Sequence, residues 1–254
     1  MITIISPAKK LEETTQAITN QYTTPEFLDE AKELVEELRR LTPQEIEKLM
    51  GVNRNIAEIN YERFMRWSSK TPSANAQQSI FTFNGHVYKR LSAESMDEKD
   101  LEFAQQHLRI LSGLYGILRP LDLIQPYRLE MGTPLNTGKG KNLYEFWGNK
   151  ISKIINSKLR NQKNPTLVNL ASREYFKAIK PDLIEGNIIT PIFKEKRENQ
   201  YKTITVYAKK ARGAMTRFII RERIRNPEVI KTFEEDGYVY NEELSSEKEW
   251  VFIR

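Results

Sequence analysis

Apolar and polar positions change period several times along the chain, and each change marks an element. Ile2–Ile5 is a short β-branched run that reads as a buried strand ending at the turn-prone Ser6-Pro7. Thr24-Pro25 has the form of a helix start, with Thr as N-cap and Pro in the first position. Phe27, Ala31, Leu34, Val35, Leu38 and Leu41 follow at helical spacing, which predicts a face packed on the core. Thr42-Pro43-Gln44-Glu45 has capping-box form, and Ile46, Leu49 and Met50 line one side of the helix it opens. Ile56, Ile59, Phe64 and Trp67 sit at offsets 0, 3, 8 and 11, again one helical face.

Further along, Ile80–Phe83 reads as a strand entering an Asn84-Gly85 turn, 97–107 as a helix and 108–111 as extended or buried. Residues 112–142 are rich in Gly and Pro and too long for a plain connection, which predicts an ordered functional loop. Residues 142–159 read as a helix, 166–170, 187–193 and 201–207 as strands, and 209–225 as a helix, before late strands at 238–240 and 250–253. The mixture predicts an α+β fold: one domain over 1–254, a mixed β-sheet surrounded by helices, and an inserted helix-hairpin-helix element at about 42–67. There is no internal repeat or low-complexity segment.

Composition narrows the chemistry. The 254 residues are 39% hydrophobic and 29% charged, as in a globular chain. With no cysteine, a disulfide framework, a zinc knuckle, an iron–sulfur cluster and a peroxidatic or redox-sensing thiol are excluded. Only His86 and His107 are available, so a His-rich metal site is not expected, and each reads as a structural or surface residue. No nucleophile–base pair, metal cluster or cofactor motif is evident, so no catalytic residue, metal or cofactor is assigned. The N-terminus lacks a signal-peptide pattern and no apolar run reaches membrane-span length, so the expected location is cytoplasmic, with no membrane partner.

The net charge is +6, yet residues 139–225 hold 21 basic and 7 acidic side chains, a balance of +14. Gathered on one face, that field attracts phosphate polyanions. Three local features bear on this. Residues 49–59 have the hydrophobic–Gly–hydrophobic hairpin of a helix-hairpin-helix element, in which Gly51 turns, Val52 tucks inward and the second helix's N-terminus faces a phosphate, with Arg54 adding charge. Asn53 stands where such elements usually carry a second glycine, and Asn tolerates the left-handed region. In residues 207–225, Lys210, Arg217, Arg221 and Arg225 fall within an arc of roughly 80° on a helix, opposite Met215, Phe218 and Ile219. The remaining feature is a set of polar knots around Ser6, Ser112, Arg128 and Ser172; if they converge, they form a basic cleft with Tyr115, Tyr127 and Tyr175 available to stack bases.

These segments resemble the YaaA family of bacterial peroxide-stress-resistance proteins. The likeness is carried by Ile5-Ser-Pro-Ala-Lys9, residues 103–122 and 125–132, Leu143-Tyr-Glu-Phe-Trp-Gly148, Asn169-Leu-Ala-Ser172 with Glu174-Tyr-Phe-Lys177, and Tyr207-Ala-Lys-Lys-Ala-Arg-Gly213. It runs from residue 2 to about 253. The resemblance implies a cytosolic protein of hydrogen peroxide survival, associated with lowered unincorporated iron. It also implies DNA binding through a helix-hairpin-helix motif and a positively charged cleft on an unusual α+β fold.

Together these readings favour a non-catalytic binder of duplex or distorted DNA. Gly51, Val52, Asn53 and Arg54 would seat one phosphate patch, and Lys209, Lys210, Arg212, Arg217 and Arg221 would line the cleft with Lys9, Arg128 and Arg173. The alternative is an enzyme acting on a nucleobase, nucleotide or DNA lesion, with Ser6, Lys9, Arg128, Glu130, Ser172 and Glu174 around a pocket. Direct iron binding is a poor third, because only carboxylates remain as ligands. Oligomeric state has no sequence signal.

Overall fold

Strand β1 (Ile2–Ile5) is buried along its whole length, as its β-branched run requires. In this computed structural model, which describes residues 1–12, 19–70, 73, 75–198 and 200–254, it is followed by β2 (Lys10–Leu11). Three helices come next: α1 (Leu28–Arg39), α2 (Pro43–Met50) and α3 (Arg54–Arg66). Then come β3 (Gln77–Gln78), α4 (Ser79–Thr82), β4 (Phe83–Asn84), α5 (His86–Leu91), α6 (Glu98–His107), β5 (Leu108–Ser112), β6 (Gly116–Leu118) and β7 (Leu123–Ile124). The remaining chain forms α7 (Leu143–Trp147), α8 (Lys150–Leu159), β8 (Thr166–Leu170), α9 (Arg173–Phe176), β9 (Asn187–Arg197), β10 (Gln200–Lys202), α10 (Thr205–Arg221), β11 (Val239–Asn241) and β12 (Glu249–Ile253).

The central sheet is mixed and runs in the order β11-β12-β9-β8-β1-β5-β6, with β10 paired to β9. Its middle is parallel: β5, β1, β8, β9 and β12 all point the same way, and β6 and β11 close the edges antiparallel. From β1 the chain first builds β5 on one side and later β8 on the other. The carboxyl ends of β1 and β8 therefore sit where the strand order reverses, the position at which parallel sheets open a crevice for ligands. The mixed sheet surrounded by helices agrees with the fold class read from the sequence.

Several boundaries differ from the sequence reading, each for a local reason. Helix α1 starts at Leu28, with Phe27 rather than Thr24 at its N-cap. The segment before it stays extended because the Thr24 carbonyl accepts from Arg119 Nη2 at 2.7 Å and Thr23 bonds to the backbone of Leu121 and Leu123. Residues 79–82 are a helical turn rather than a strand, held by Ser79 Oγ donating to the Arg119 and Pro120 carbonyls. The helix expected over 142–159 is broken at Gly148, which takes a φ of 53°. Residues 201–207 are not one strand: β10 ends at Lys202 and α10 already starts at Thr205. Helix α10 ends at Arg221, so Arg225 is not on its stripe, and Arg223 sits at a φ of 48°.

Helices α2 and α3 follow one another across a turn at Gly51. Thr42 and Glu45 make a reciprocal capping box, and Gly51 takes the left-handed φ of 59°. A Cβ at Gly51 would meet nothing within 4 Å, so the glycine answers to backbone conformation alone. Asn53 is not in the left-handed region. It is extended at φ −76°, ψ 166°, and its side chain caps α3 by accepting the Ile56 amide at 3.0 Å. Ile59 is half exposed, and the face of α3 that packs inward carries Ala57, Asn60 and Phe64 instead.

Candidate functional site

The carboxyl ends of β1 and β8 are tied by a side chain. Ser6, one residue past β1, accepts the Ser172 amide on its Oγ at 2.8 Å, and the two hydroxyls lie 3.3 Å apart. Tyr88 of α5 donates its hydroxyl to the Ser6 carbonyl at 2.9 Å, pinning the same corner from the helix side. Around this corner opens a cavity of about 520 Å³, walled by the loop after β1, the loop carrying 127–130, the start of α9, α5 and the first turns of α10.

Helix α10 reaches the cavity because Gly213 lets it press against α5. A Cβ on Gly213 would lie 2.1 Å from the Val87 carbonyl oxygen, so no larger residue fits at this separation. Arg212, the preceding residue, and Lys209, about one turn earlier, are thereby delivered to the cavity.

The lining is layered by burial. Lys9, Lys10, His86 and Lys209 are exposed and form the rim. Arg128, Glu130, Ser172, Glu174 and Arg212 are partly buried and form the walls. Tyr88, Tyr127, Leu129, Leu170 and Tyr175 are buried and form the floor. Five cations therefore face two carboxylates. Glu130 is shared, with Oε2 2.7 Å from Lys9 Nζ and Oε1 3.1 Å from Arg128 Nη2. Glu174 Oε1 accepts the Gly132 amide at 2.9 Å.

Arg212 has no such counter-charge. Its Nε is buried without a hydrogen-bond partner, as is the Nε of Arg128, and burial alone lowers the Arg212 pKa. Two residues of the cavity wall thus each hold a buried Nε–H without a partner, a costly arrangement. The floor is neutral. Burial raises the phenol pKa of Tyr88, Tyr127 and Tyr175, and for Tyr175 the neighbouring Tyr127, Glu174 and Glu130 push the same way. The Tyr127 hydroxyl is turned to Ser112 Oγ at 2.6 Å, so its polar tip is occupied away from the cavity.

Of the cations read from the sequence as DNA contacts, Lys9, Arg128, Lys209 and Arg212 meet at this cavity. Lys210 and Arg173 are exposed but do not line it. Arg217 is occupied elsewhere: Nη1 donates to the Leu91 and Ser92 carbonyls and to Ser95 Oγ, at 2.8–3.1 Å. Arg221 donates to the Ser95 carbonyl at 2.9 Å and lies 3.5 Å from the buried Asp100 carboxylate. Both clamp α10 to the turn after α5. Gly51, Val52, Asn53 and Arg54 lie outside the cavity, and Arg54 pairs with Glu58 on its own helix at 2.6 Å. Tyr127 and Tyr175 face the cavity, whereas Tyr115 is in the core, its hydroxyl accepting from Trp67 Nε1 at 2.9 Å.

Ser6, Lys9, Arg128, Glu130, Ser172 and Glu174, grouped from the sequence for a possible pocket, all line this one cavity. Lys10, Asn84, Val87 and Tyr88 join them without having been singled out, and so does His86 at the rim. Asn84-Gly85-His86 was legible only as a turn; its place over β1 comes from the antiparallel pairing of β2 with β4. His107 is structural. It stacks on Phe103 at 4.3 Å, and its Nδ1 donates to the Met1 carbonyl at 2.9 Å.

Comparison with known proteins agrees with the motifs. The sequence pattern described as peroxide stress protein YaaA matches residues 1–244. A UPF0246 protein of Cellvibrio japonicus is 48% identical over 254 residues, covering 100% of this chain and 98% of the relative. The UPF0246 proteins BTH_I1090 of Burkholderia thailandensis and VFMJ11_2214 of Aliivibrio fischeri are 45% and 49% identical, each with the same coverage. With a family pattern over residues 1–244 and relatives matched over its full length, this chain belongs to the YaaA family of peroxide stress proteins.

Proposed function

We propose that this protein binds DNA through the phosphate backbone, with the cavity of Lys9, Lys10, Arg128, Lys209 and Arg212 as its principal contact. The observation that carries this reading is Arg212: a guanidinium whose buried Nε has no partner, set in a wall with a cationic rim. A phosphate at this wall gives the Arg212 guanidinium the counter-charge that no described carboxylate supplies. The pair α2–α3 supplies a second contact. Arg54 stands in the first turn of α3, where the helix dipole favours an anion, and Gly51 sets the turn that leads into it. Arg173 and Lys210, exposed beside the cavity elements, extend the track. Binding of this kind depends on salt and little on sequence, and it accepts duplex or distorted DNA.

The family's description as peroxide stress proteins supplies the setting for this proposal. In this reading the protein acts on DNA, the target of peroxide damage, in the cytoplasm. In this reading, lowered free iron is an indirect consequence of that activity. Among the described residues, no helix is long and apolar enough to cross a membrane.

Fluorescence anisotropy with a labelled duplex tests the proposal. The variant Lys209→Glu/Lys210→Glu/Arg212→Glu is expected to lose binding at a salt concentration where the wild type is saturated. Equal binding by the two proteins overturns the assignment.

One observation favours a second reading, an enzyme acting on a nucleobase, nucleotide or DNA lesion. Ser6, Ser172, Glu130 and Glu174 share the cavity at the reversal point of the parallel sheet, where catalytic groups of such sheets gather. Incubation with oligonucleotides carrying oxidised bases, followed by chromatography of the released products, tests it; unaltered oligonucleotides at stoichiometric enzyme reject it.

A further inference from the structure

We propose that the cavity receives a single nucleotide swung out of a DNA strand, with its phosphate at the rim and its base on the tyrosine floor. This inference rests on the DNA-binding reading and specifies what enters the site. A cavity of about 520 Å³ is within the range of small-molecule sites and far too small for a double helix. A duplex lying across the rim reaches only the exposed Lys9, Lys10 and Lys209. It leaves the partly buried Arg128 and Arg212 of the wall out of reach and the floor empty.

The layering matches one nucleotide read from phosphate to base. Exposed lysines form the mouth, where a charged backbone stays hydrated. Below them Glu130 and Glu174 repel a phosphate that moves deeper, while Arg128 and Arg212 offer donors to oxygens that arrive at wall level. The floor is apolar and aromatic, and the Tyr88 and Tyr127 hydroxyls are committed to Ser6 and Ser112, so ring surface is what the cavity presents there. A base extruded from the stack is received by aromatic and apolar walls of this type. The hydroxyls of Ser6 and Ser172 lie beside the floor and supply polar edges for a heterocycle.

A free nucleotide has the same chemistry, so the test separates the two sources. Affinities are measured by anisotropy for a fully paired duplex and for the same duplex with one unpaired base, in wild type and in Ala8→Trp, which adds bulk at a lining position and removes no cation. The wild type is expected to prefer the unpaired-base duplex about tenfold, because extrusion costs least where pairing is already lost. Ala8→Trp is expected to abolish that preference and keep paired-duplex affinity within about twofold. Val87→Phe, at another lining position, provides the same test if Ala8→Trp does not fold.

Wild-type binding to both duplexes with no preference overturns the inference and leaves the DNA reading intact. A preference that persists in the filled variants also overturns it. Failure to bind either duplex removes both. Displacement of the paired duplex by deoxyguanosine monophosphate, together with no preference for the unpaired base, assigns the cavity to free nucleotides and rejects extrusion.

Discussion

Gly213 on α10 and Val87 on α5 approach so closely that a Cβ on the glycine would stand 2.1 Å from the Val87 carbonyl oxygen. This contact decides where Lys209 and Arg212 are held, since both lie within one turn of Gly213 on the same helix. Gly213→Ala forces the helices apart. Its expected cost is about 1–3 kcal/mol, the range for overpacking in a filled core. Urea unfolding measures it, and DNA affinity is expected to fall with it because two cavity cations move together.

Arg212→Met is expected to separate stability from binding. Its buried Nε has no partner, so replacing the guanidinium with an apolar chain removes a desolvation cost rather than an interaction. Thermal denaturation should give an unchanged or raised midpoint, while DNA affinity drops about tenfold, the loss of one charge-assisted contact. A lowered midpoint would show that Arg212 has a structural partner after all.

Glu130 opposes binding in this account. It neutralises Lys9 and Arg128 at 2.7 and 3.1 Å, and any phosphate has to compete with its carboxylate. Glu130→Gln is expected to raise affinity about three- to tenfold at low ionic strength, with the gain shrinking as salt screens the site. Titrations at two salt concentrations read this directly.

His107 predicts an acid limit to stability. Burial lowers its pKa, the facing N-terminal ammonium, Arg225 and Arg109 lower it further, and the hydrogen bond to the Met1 carbonyl partly opposes them. As pH falls below about 6.5, the unfolded chain takes up the proton first, so folding stability declines from there down to the depressed folded value and is level below it. Urea midpoints between pH 7.5 and 5 should show this fall, and His107→Asn should reduce it, leaving the part due to the Met1 ammonium, which burial lowers to about 6.

Most of the frame is legible in the sequence. Periodicity finds β1, β5, β8 and α6 because each is a local pattern with a strong stop, such as Asp97 capping α6. The family strings also mark the cavity loops. Side-chain commitment is not legible. A helical wheel puts Arg217 in the cationic stripe and Arg212 on the opposite, apolar side, yet Arg217 is spent on the carbonyls after α5 while Arg212 lines the cavity. That distinction depends on what α5 places beside α10, which is a tertiary fact. Asn53 shows the same limit: its composition suits a left-handed turn, and its use is a helix cap. Lys10 and Asn84 reach the site only through the pairing of two-residue strands too short to carry a periodic signal.

The salt dependence of DNA binding in Lys9→Ala/Lys209→Ala is the most direct test of the cavity as the phosphate site. Both lysines are exposed on the rim, and neither holds the core together. If each neutralises a phosphate, the plot of log affinity against log salt becomes shallower by about 2 relative to wild type, close to 0.9 per lost contact. An unchanged slope with unchanged affinity would contradict the account, because the polyanion would then be held elsewhere on the protein.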